Sequence, residues 1–286
     1  MVIQWFPGHM AKTRRLIADN LKIVDVVVEL LDSRLPMAST NPIVDELVGA
    51  KPRVVVLNKS DMADSEATKK WIQYYKAKGI SAVAIDSITG KGFPQLKDMI
   101  KEVLKEKTQR ALDKGMKERP ARMMVVGIPN VGKSSFINKL AGRASTKTGD
   151  TPGVTKTKQW IRISGGYELL DTPGILWPRF DDEKTGLHLA FTGAIRDEIY
   201  DTVEVAFQLC AYISKRFPMR MSETYKIPFV ENMAGHDILF EIGKRRGCII
   251  AGGEVDLERT SRIVLDEFRA CRIGKITLEL PEDSND

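Results

Sequence analysis

Residues 122–134 read RMMVVGIPNVGKS, and this stretch decides the fold. Its first part, 122–126, is a short apolar run of strand length, which predicts a buried β-strand. Gly127 to Ser134 then satisfies the spacing G-x-x-x-x-G-K-[ST], and helical spacing begins at about Lys133. A strand, a glycine loop and a helix in that order wrap backbone N–H groups around a phosphate at a helix N-terminus, where the peptide dipoles favour an anion. Lys133 is then the cation that reaches the β and γ oxygens of a nucleoside triphosphate, and the Ser134 hydroxyl is a ligand for Mg²⁺. Asn130, Val131, Gly132 and Ser135 complete the expected phosphate-binding set.

Toward the C-terminus, two short strands, the second being YELL at 167–170, lead to Asp171-Thr172-Pro173-Gly174. Asp171, at a strand end, is expected to be a carboxylate of the Mg²⁺ site, with the Gly174 N–H facing the γ-phosphate. Between the two motifs, GDTPGVTKT at 149–157 supplies a threonine to complete the metal shell when a γ-phosphate is present. Thr155 is the expected one, and Thr151 and Thr157 are alternatives.

Toward the N-terminus, buried-strand runs at 23–31 (IVDVVVELL), 53–57 (RVVVL) and 80–85 (ISAVAI) alternate with helical spacing at 63–78 and 93–108. That alternation predicts an α/β fold with a mostly parallel sheet. Asn58-Lys59-Ser60-Asp61 follows the run RVVVL, at the carboxyl edge where such sheets bind ligands. An ionised Asp61 accepts from both N1–H and the 2-amino group of guanine. Adenine has an acceptor at N1 and no 2-amino group, so it would leave the carboxylate unpaired. GTP and GDP, rather than ATP, are therefore the expected ligands. Asn58 is expected at the base edge and the Lys59 stem over the ring plane, while Asp86-Ser87 finish the base pocket with backbone N–H groups. The base motif precedes the phosphate loop, the reverse of the usual order.

Beyond residue 180 the alternation stops and helical patterns run to 273. This predicts a GTPase domain at 1–178, including an N-terminal extension, and a smaller all-helical domain at 179–286. In the second, Arg259, Arg262, Arg269 and Arg272 spread over one helix face and Leu257, Val264, Phe268 and Cys271 over another. With Lys244-Arg245-Arg246, and with Lys12, Arg14 and Arg15 near the N-terminus, the arginine face is an expected surface for RNA phosphates. His188 lies on an apolar helical face and is expected to be packed. The acidic tail at 279–286 is expected to fray.

Over 286 residues, 43% hydrophobic and 29% charged content is that of a soluble globular chain, and no apolar run has the length of a membrane span. No secretory signal is visible, so a cytoplasmic location without a membrane partner is expected. Net charge +6 and a pI near 9.1 fit a polyanionic partner. Cys210, Cys248 and Cys271 have no metal-ligand spacing and are expected to be reduced core thiols.

The motif order NKSD, DSITG, GIPNVGKS, GVT and DTPG resembles the circularly permuted branch of the translation-factor-related GTPases. QWFPGHMAKTRR, DSRLP, LDTPGILWP, GKRRG and GGEVD resemble, within it, the bacterial ribosome biogenesis GTPase A family, and the likeness spans nearly the whole chain. Ser33 departs from that pattern, where the family commonly has alanine. The resemblance implies a GTP-hydrolysing factor that assists assembly of the large ribosomal subunit, contacting rRNA and ribosomal proteins rather than DNA. It also implies slow hydrolysis that the ribosomal partner stimulates, and K⁺ held beside Asn130. The residue after the DTPG glycine is Ile175, which cannot orient a water as a glutamine would. His9, in a Phe-Pro-Gly-His loop, is the expected catalytic residue in its place. The alternative reading is a non-catalytic, GTP-gated RNA-binding module.

Overall fold

In a computed structural model the described residues are 10–115, 119–142, 160–163, 166–170, 183–228, 230–231 and 233–285. They fall into two compact units, one formed by 10–170 with 277–285 and the other by 183–276.

The first unit runs α1 (Met10–Leu21), β1 (Val26–Asp32), α2 (Pro36–Ser39), α3 (Pro42–Val48), β2 (Arg53–Asn58), α4 (Ser65–Ala77), β3 (Ser81–Ala84) and α5 (Phe93–Asp113). It continues through β4 (Ala121–Gly127), α6 (Lys133–Ala141), β5 (Trp160–Ile163) and β6 (Tyr167–Leu170). The strands form one sheet in the order β3-β2-β1-β4-β6-β5, parallel except for β5 against β6. Strand β1 is fully buried because its Val26-Val27-Val28 and Leu30-Leu31 face packed layers on both sides. Val27 packs with Ile17 and Leu21 of α1 and with Val44 and Val48 of α3, while Leu31 packs with Trp71 and Tyr75 of α4. After β3 the chain reverses direction across the sheet, and right-handed crossovers then carry α5 and α6 to the opposite face. There the Phe93 and Phe136 rings lie 5.4 Å apart.

This order puts β2 and β4, which end in the two motifs, on either side of β1. Asn58 pairs in register with Asp32, and Gly127 with Leu30. At the other end of the strands, basic side chains from α5 and from the approach to β4 converge on Asp25. Asp25 accepts from both Arg119 guanidinium nitrogens at 2.9 and 2.8 Å and from the Arg122 N–H at 2.8 Å, with Lys107 Nζ also at 2.8 Å.

Glu29 alternates with Val27 and Leu31 on a buried face, 3.4 Å from Arg53 Nε, and burial raises its carboxyl to about 7 against the ordinary 4.5. Between those values the unfolded chain has lost this proton and the folded chain keeps it. Folding therefore weakens as pH rises through the window, by about 3 kcal/mol once pH passes 7. Glu29→Gln is expected to flatten that slope in urea denaturation measured from pH 5 to 8. An unchanged slope would assign the loss to other groups.

Among the described residues, the start of the C-terminal tail is docked rather than frayed. Glu279 is 1% exposed, and its carboxylate accepts from the Met37 and Ala38 N–H groups at 2.7 and 3.0 Å, while its carbonyl accepts from Trp71 Nε1 at 2.9 Å. Residues 277–285 thus group with the sheet, whereas the division at 179–286 placed them with the helices.

The second unit comprises α7 (Glu183–Phe191), α8 (Thr202–Arg216), α9 (Pro218–Tyr225), α10 (Gly235–Arg245) and α11 (Leu257–Arg269). Helix α8 is central: α10 crosses it at Gly235, where a Cβ would lie 2.2 Å from the Phe207 carbonyl oxygen. His188 is packed, its ring edge-on to Tyr212 at 5.3 Å. Arg269 departs from the expected phosphate-facing set, because its guanidinium is fixed by Asp197 at 2.7 and 3.0 Å and by the Ala190 carbonyl at 3.0 Å. Arg259, Arg262 and Arg272 are exposed. Cys210 and Cys248 are buried, but Cys271 lies beyond α11, half-buried, with a left-handed φ of 59°, and so is not a core thiol. No helix among the described residues is long and apolar enough to cross a membrane.

Candidate functional site

The glycines of the phosphate loop are required by close approach as well as by φ. A Cβ on Gly127 would lie 2.6 Å from the Leu30 carbonyl oxygen, and one on Gly132, whose φ is 95°, would lie 2.5 Å from Asn58 Nδ2. Asn130 takes a left-handed φ of 56°, which asparagine tolerates better than most residues. Lys133, Ser134 and Ser135 form the first turn of α6, and Lys133 Nζ donates to the Gly127 and Ile128 carbonyls, each at 3.3 Å. Contacts that long are readily exchanged for a ligand's oxygens.

The base motif meets this loop directly. Lys59, with a φ of 57°, donates from Nζ to the Asn130 carbonyl at 2.7 Å, so its stem spans from one motif to the other. Asn58 is buried, and its amide is committed to protein: Nδ2 donates to the Val131 carbonyl at 2.8 Å and Oδ1 accepts from the Ser87 hydroxyl at 2.7 Å. These bonds give Asn58 a structural role, tying three loops together, and they use one of its two Nδ2 hydrogens. Asn58→Ala would strand the Val131 carbonyl and the Ser87 hydroxyl in a buried place, and a loss of about 2 to 4 kcal/mol in unfolding free energy is expected. Thermal or urea denaturation checks this, and a loss well under 1 kcal/mol would mean that water replaces the amide.

Asp61 is exposed at the rim, where its carboxylate is accessible to a base. Ser60 N–H donates to the Ile85 carbonyl at 3.1 Å, which joins the motif to the loop after β3. In that loop Asp86 organises the backbone. Its carboxylate accepts from the Ile88 N–H at 2.8 Å, the Thr89 N–H at 3.2 Å and the Thr89 hydroxyl. Burial opposes the charge, but these bonds hold the Asp86 carboxyl below its ordinary value. Its own N–H goes to the Lys91 carbonyl at 3.1 Å, so Asp86 serves the loop and does not offer that N–H to a base, contrary to expectation. Lys139 of α6 donates to the Ile88 carbonyl at 3.0 Å and ties the phosphate helix to the same loop.

Asp32 and Arg34 were not among the expected site residues. Asp32 is 1% exposed, accepts from Arg34 N, Nε and Nη2 at 3.0, 3.0 and 2.8 Å, and lies 3.1 Å from Lys59 Nζ. Burial opposes its ionisation, and Arg34 and Lys59 overcome this, holding the carboxyl well below the usual carboxylate range. Burial lowers Lys59 in turn, against the attraction of Asp32. The available signal was an acidic residue closing an apolar strand two residues before an arginine. His9, Thr155, Asp171 and Gly174 lie outside the described residues.

A family profile described as 50S ribosome-binding GTPase matches residues 122–224. The chain is 50% identical over 286 residues to the ribosome biogenesis GTPase A of Bacillus cereus, covering 99% of this chain and 95% of that protein. Among solved structures, GNP-bound YlqF from T. maritima is similar with a TM-score of 0.66 and 27% identity, over 95% of this chain and 99% of that one. GDP-bound TM YlqF has the same TM-score and identity, over 94% of this chain and 100% of that one. The permuted sheet and the meeting of the two motifs accord with these likenesses: the chain is a GTPase and belongs to the ribosome biogenesis GTPase A family.

Proposed function

We propose that this GTPase acts in maturation of the large ribosomal subunit in the cytoplasm, with GTP bound between 58–61 and 130–135 and hydrolysis stimulated by the ribosomal partner. The observation that carries the nucleotide site is the pair of bonds from Lys59 to the Asn130 carbonyl and from Asn58 to the Val131 carbonyl. They bring a carboxylate suited to guanine and a cation suited to phosphate to one edge of the sheet. The family match supports the ribosomal role.

Lys133 binds and neutralises the β and γ oxygens, and the amides of the loop surround the β-phosphate. Mg²⁺ fits the residues present, since the Ser134 hydroxyl sits in the first turn of α6 beyond a glycine cradle that a Cβ would fill. Thr155 and Asp171 would complete its ligands, and the ion would supply further charge neutralisation on the phosphates. His9 positions the attacking water, and unchanged stimulated turnover in His9→Ala would remove that role. Asn130 would help hold K⁺, which would supply further positive charge, and turnover equal in sodium and potassium would remove that role. Exposed Arg259, Arg262 and Arg272 contact rRNA phosphates, so binding should weaken with rising salt.

Co-sedimentation with separated ribosomal subunits in GDP and in a non-hydrolysable GTP analogue tests the assignment. A nucleotide-dependent shift with the large subunit is expected. Equal association with both subunits in both states would overturn it.

A further inference from the structure

We propose that the C-terminal strap, through Glu279, positions Lys59 for nucleotide binding, so that a residue at the far end of the chain sets the hold on guanine nucleotide. The inference rests on the reading of 58–61 as the guanine site.

With Asn58, Lys59 joins the base motif to the phosphate loop, by its bond to the Asn130 carbonyl at 2.7 Å. A lysine has a long, mobile stem and holds such a geometry only if its ammonium is fixed from the other side. Asp32 does this at 3.1 Å, and three donors of Arg34 fix Asp32 in turn. The turn that carries Arg34 is fixed from outside, because the Leu278 N–H donates to the Arg34 carbonyl at 2.7 Å. Just beyond it, the Glu279 carboxylate takes the Met37 and Ala38 N–H groups.

The strap also reaches the other flank of the base motif. Asp64, which caps α4 three residues after Asp61, donates its N–H to the Thr277 hydroxyl at 3.0 Å. Trp71 of the same helix donates to the Glu279 carbonyl at 2.9 Å. Residues 277–279 therefore touch both the turn that supplies the counter-ion of Lys59 and the helix that begins after Asp61. A carboxylate as buried as that of Glu279 is costly unless its acceptors are used. Here they are used on the backbone of the Asp32–Arg34 turn's own helix, which couples docking of the strap to that turn. With the strap released, the turn regains freedom, Asp32 no longer meets Lys59 at a fixed point, and the base motif loosens from the phosphate loop.

The experiment uses the full chain and mant-GDP, with equilibrium affinity, release rate and melting temperature measured for Lys59→Met, Glu279→Ala, Glu279→Gln and the double variant Lys59→Met/Glu279→Ala. Lys59→Met is expected to raise the Kd at least about 10-fold, and Glu279→Ala to raise it about 10-fold, mainly through faster release. Glu279→Gln keeps one acceptor oxygen for the amides and should return the Kd to within about threefold of the parent. In the Lys59→Met background, Glu279→Ala should change the Kd by less than about twofold, since both act through one path.

A lower melting temperature with an unchanged Kd in Glu279→Ala would make the strap structural only and overturn the inference. So would an undiminished effect in the Lys59→Met background. If Glu279→Ala does not fold, Thr277→Val, which removes the acceptor of the Asp64 N–H, is read in the same way, with about threefold weaker binding expected and unchanged binding overturning the proposal. An unchanged Kd in Lys59→Met itself overturns the guanine-site reading, and the inference with it. That result is distinct from failure of the strap alone.

Discussion

Lys133→Ala is expected to lower kcat/KM for GTP by at least about 10²-fold, with most of the loss in binding and in stabilisation of the γ-phosphate. The ammonium is the one side-chain cation in the first turn of α6, and it now lies on the Gly127 and Ile128 carbonyls at 3.3 Å each. Those long bonds cost little to give up, whereas a charge-assisted bond to a phosphate oxygen contributes about 1.5 to 3 kcal/mol. Removing the amine should therefore affect ligand binding far more than folding. Single-turnover phosphate release and mant-GTP binding, set beside the melting temperature, separate the two. A variant that melts as the parent does and still turns over within about threefold of it would remove Lys133 from the mechanism. Lys133→Arg should not rescue, since a planar guanidinium cannot occupy the place of a compact ammonium in a loop already closed on Asn58.

Asp61→Asn is expected to weaken GDP binding about 10²-fold and to move the preference toward xanthine nucleotides. The asparagine keeps one acceptor for N1–H, but its NH₂ then confronts the 2-amino group, donor against donor. Xanthine carries a carbonyl at that position and accepts from the same NH₂. Because Asp61 is exposed and the cap of α4 is Asp64, which accepts from the Glu66 and Ala67 N–H groups, the substitution should leave the fold intact. Competition of GDP and XDP against mant-GDP measures the ratio. If Asp61→Asn held GDP as tightly as the parent, base recognition would have to come from elsewhere. The two substitutions test opposite ends of one site and should be close to additive in binding energy, since Lys133 rests on the carbonyls of its own loop and Asp61 stands exposed at the rim.

Much of this was legible along the chain because it depends on short spacings. The run at 122–134 specifies a strand, a tight loop and a helix within thirteen consecutive residues, and β4 and α6 follow it closely. The strand runs at 23–31, 53–57 and 80–85 gave β1, β2 and β3, since fully buried parallel strands are apolar throughout. Helix α1 had no comparable reading, because its Ile17 and Leu21 stand among charged and polar residues. The short α2 carries no helical spacing either: Pro36-Met37-Ala38-Ser39 is held by the distant Glu279.

The sequence by itself determined the class of sheet, the phosphate loop, the choice of guanine and the reversed order of the motifs. Each of these is a matter of residue types at fixed local intervals, and backbone geometry enforces such intervals wherever the segment folds. Only the tertiary structure decided what Asn58, Lys59 and Asp86 bond to, that Asp32 and Arg34 stand behind Lys59, and that the acidic tail docks. Asn58 and Lys59 meet the phosphate loop across 73 and 71 residues, and Glu279 meets Ala38 across 241. Partners so far apart are chosen by which strands lie side by side and which buried polar atoms must be satisfied there, and no local pattern records that choice.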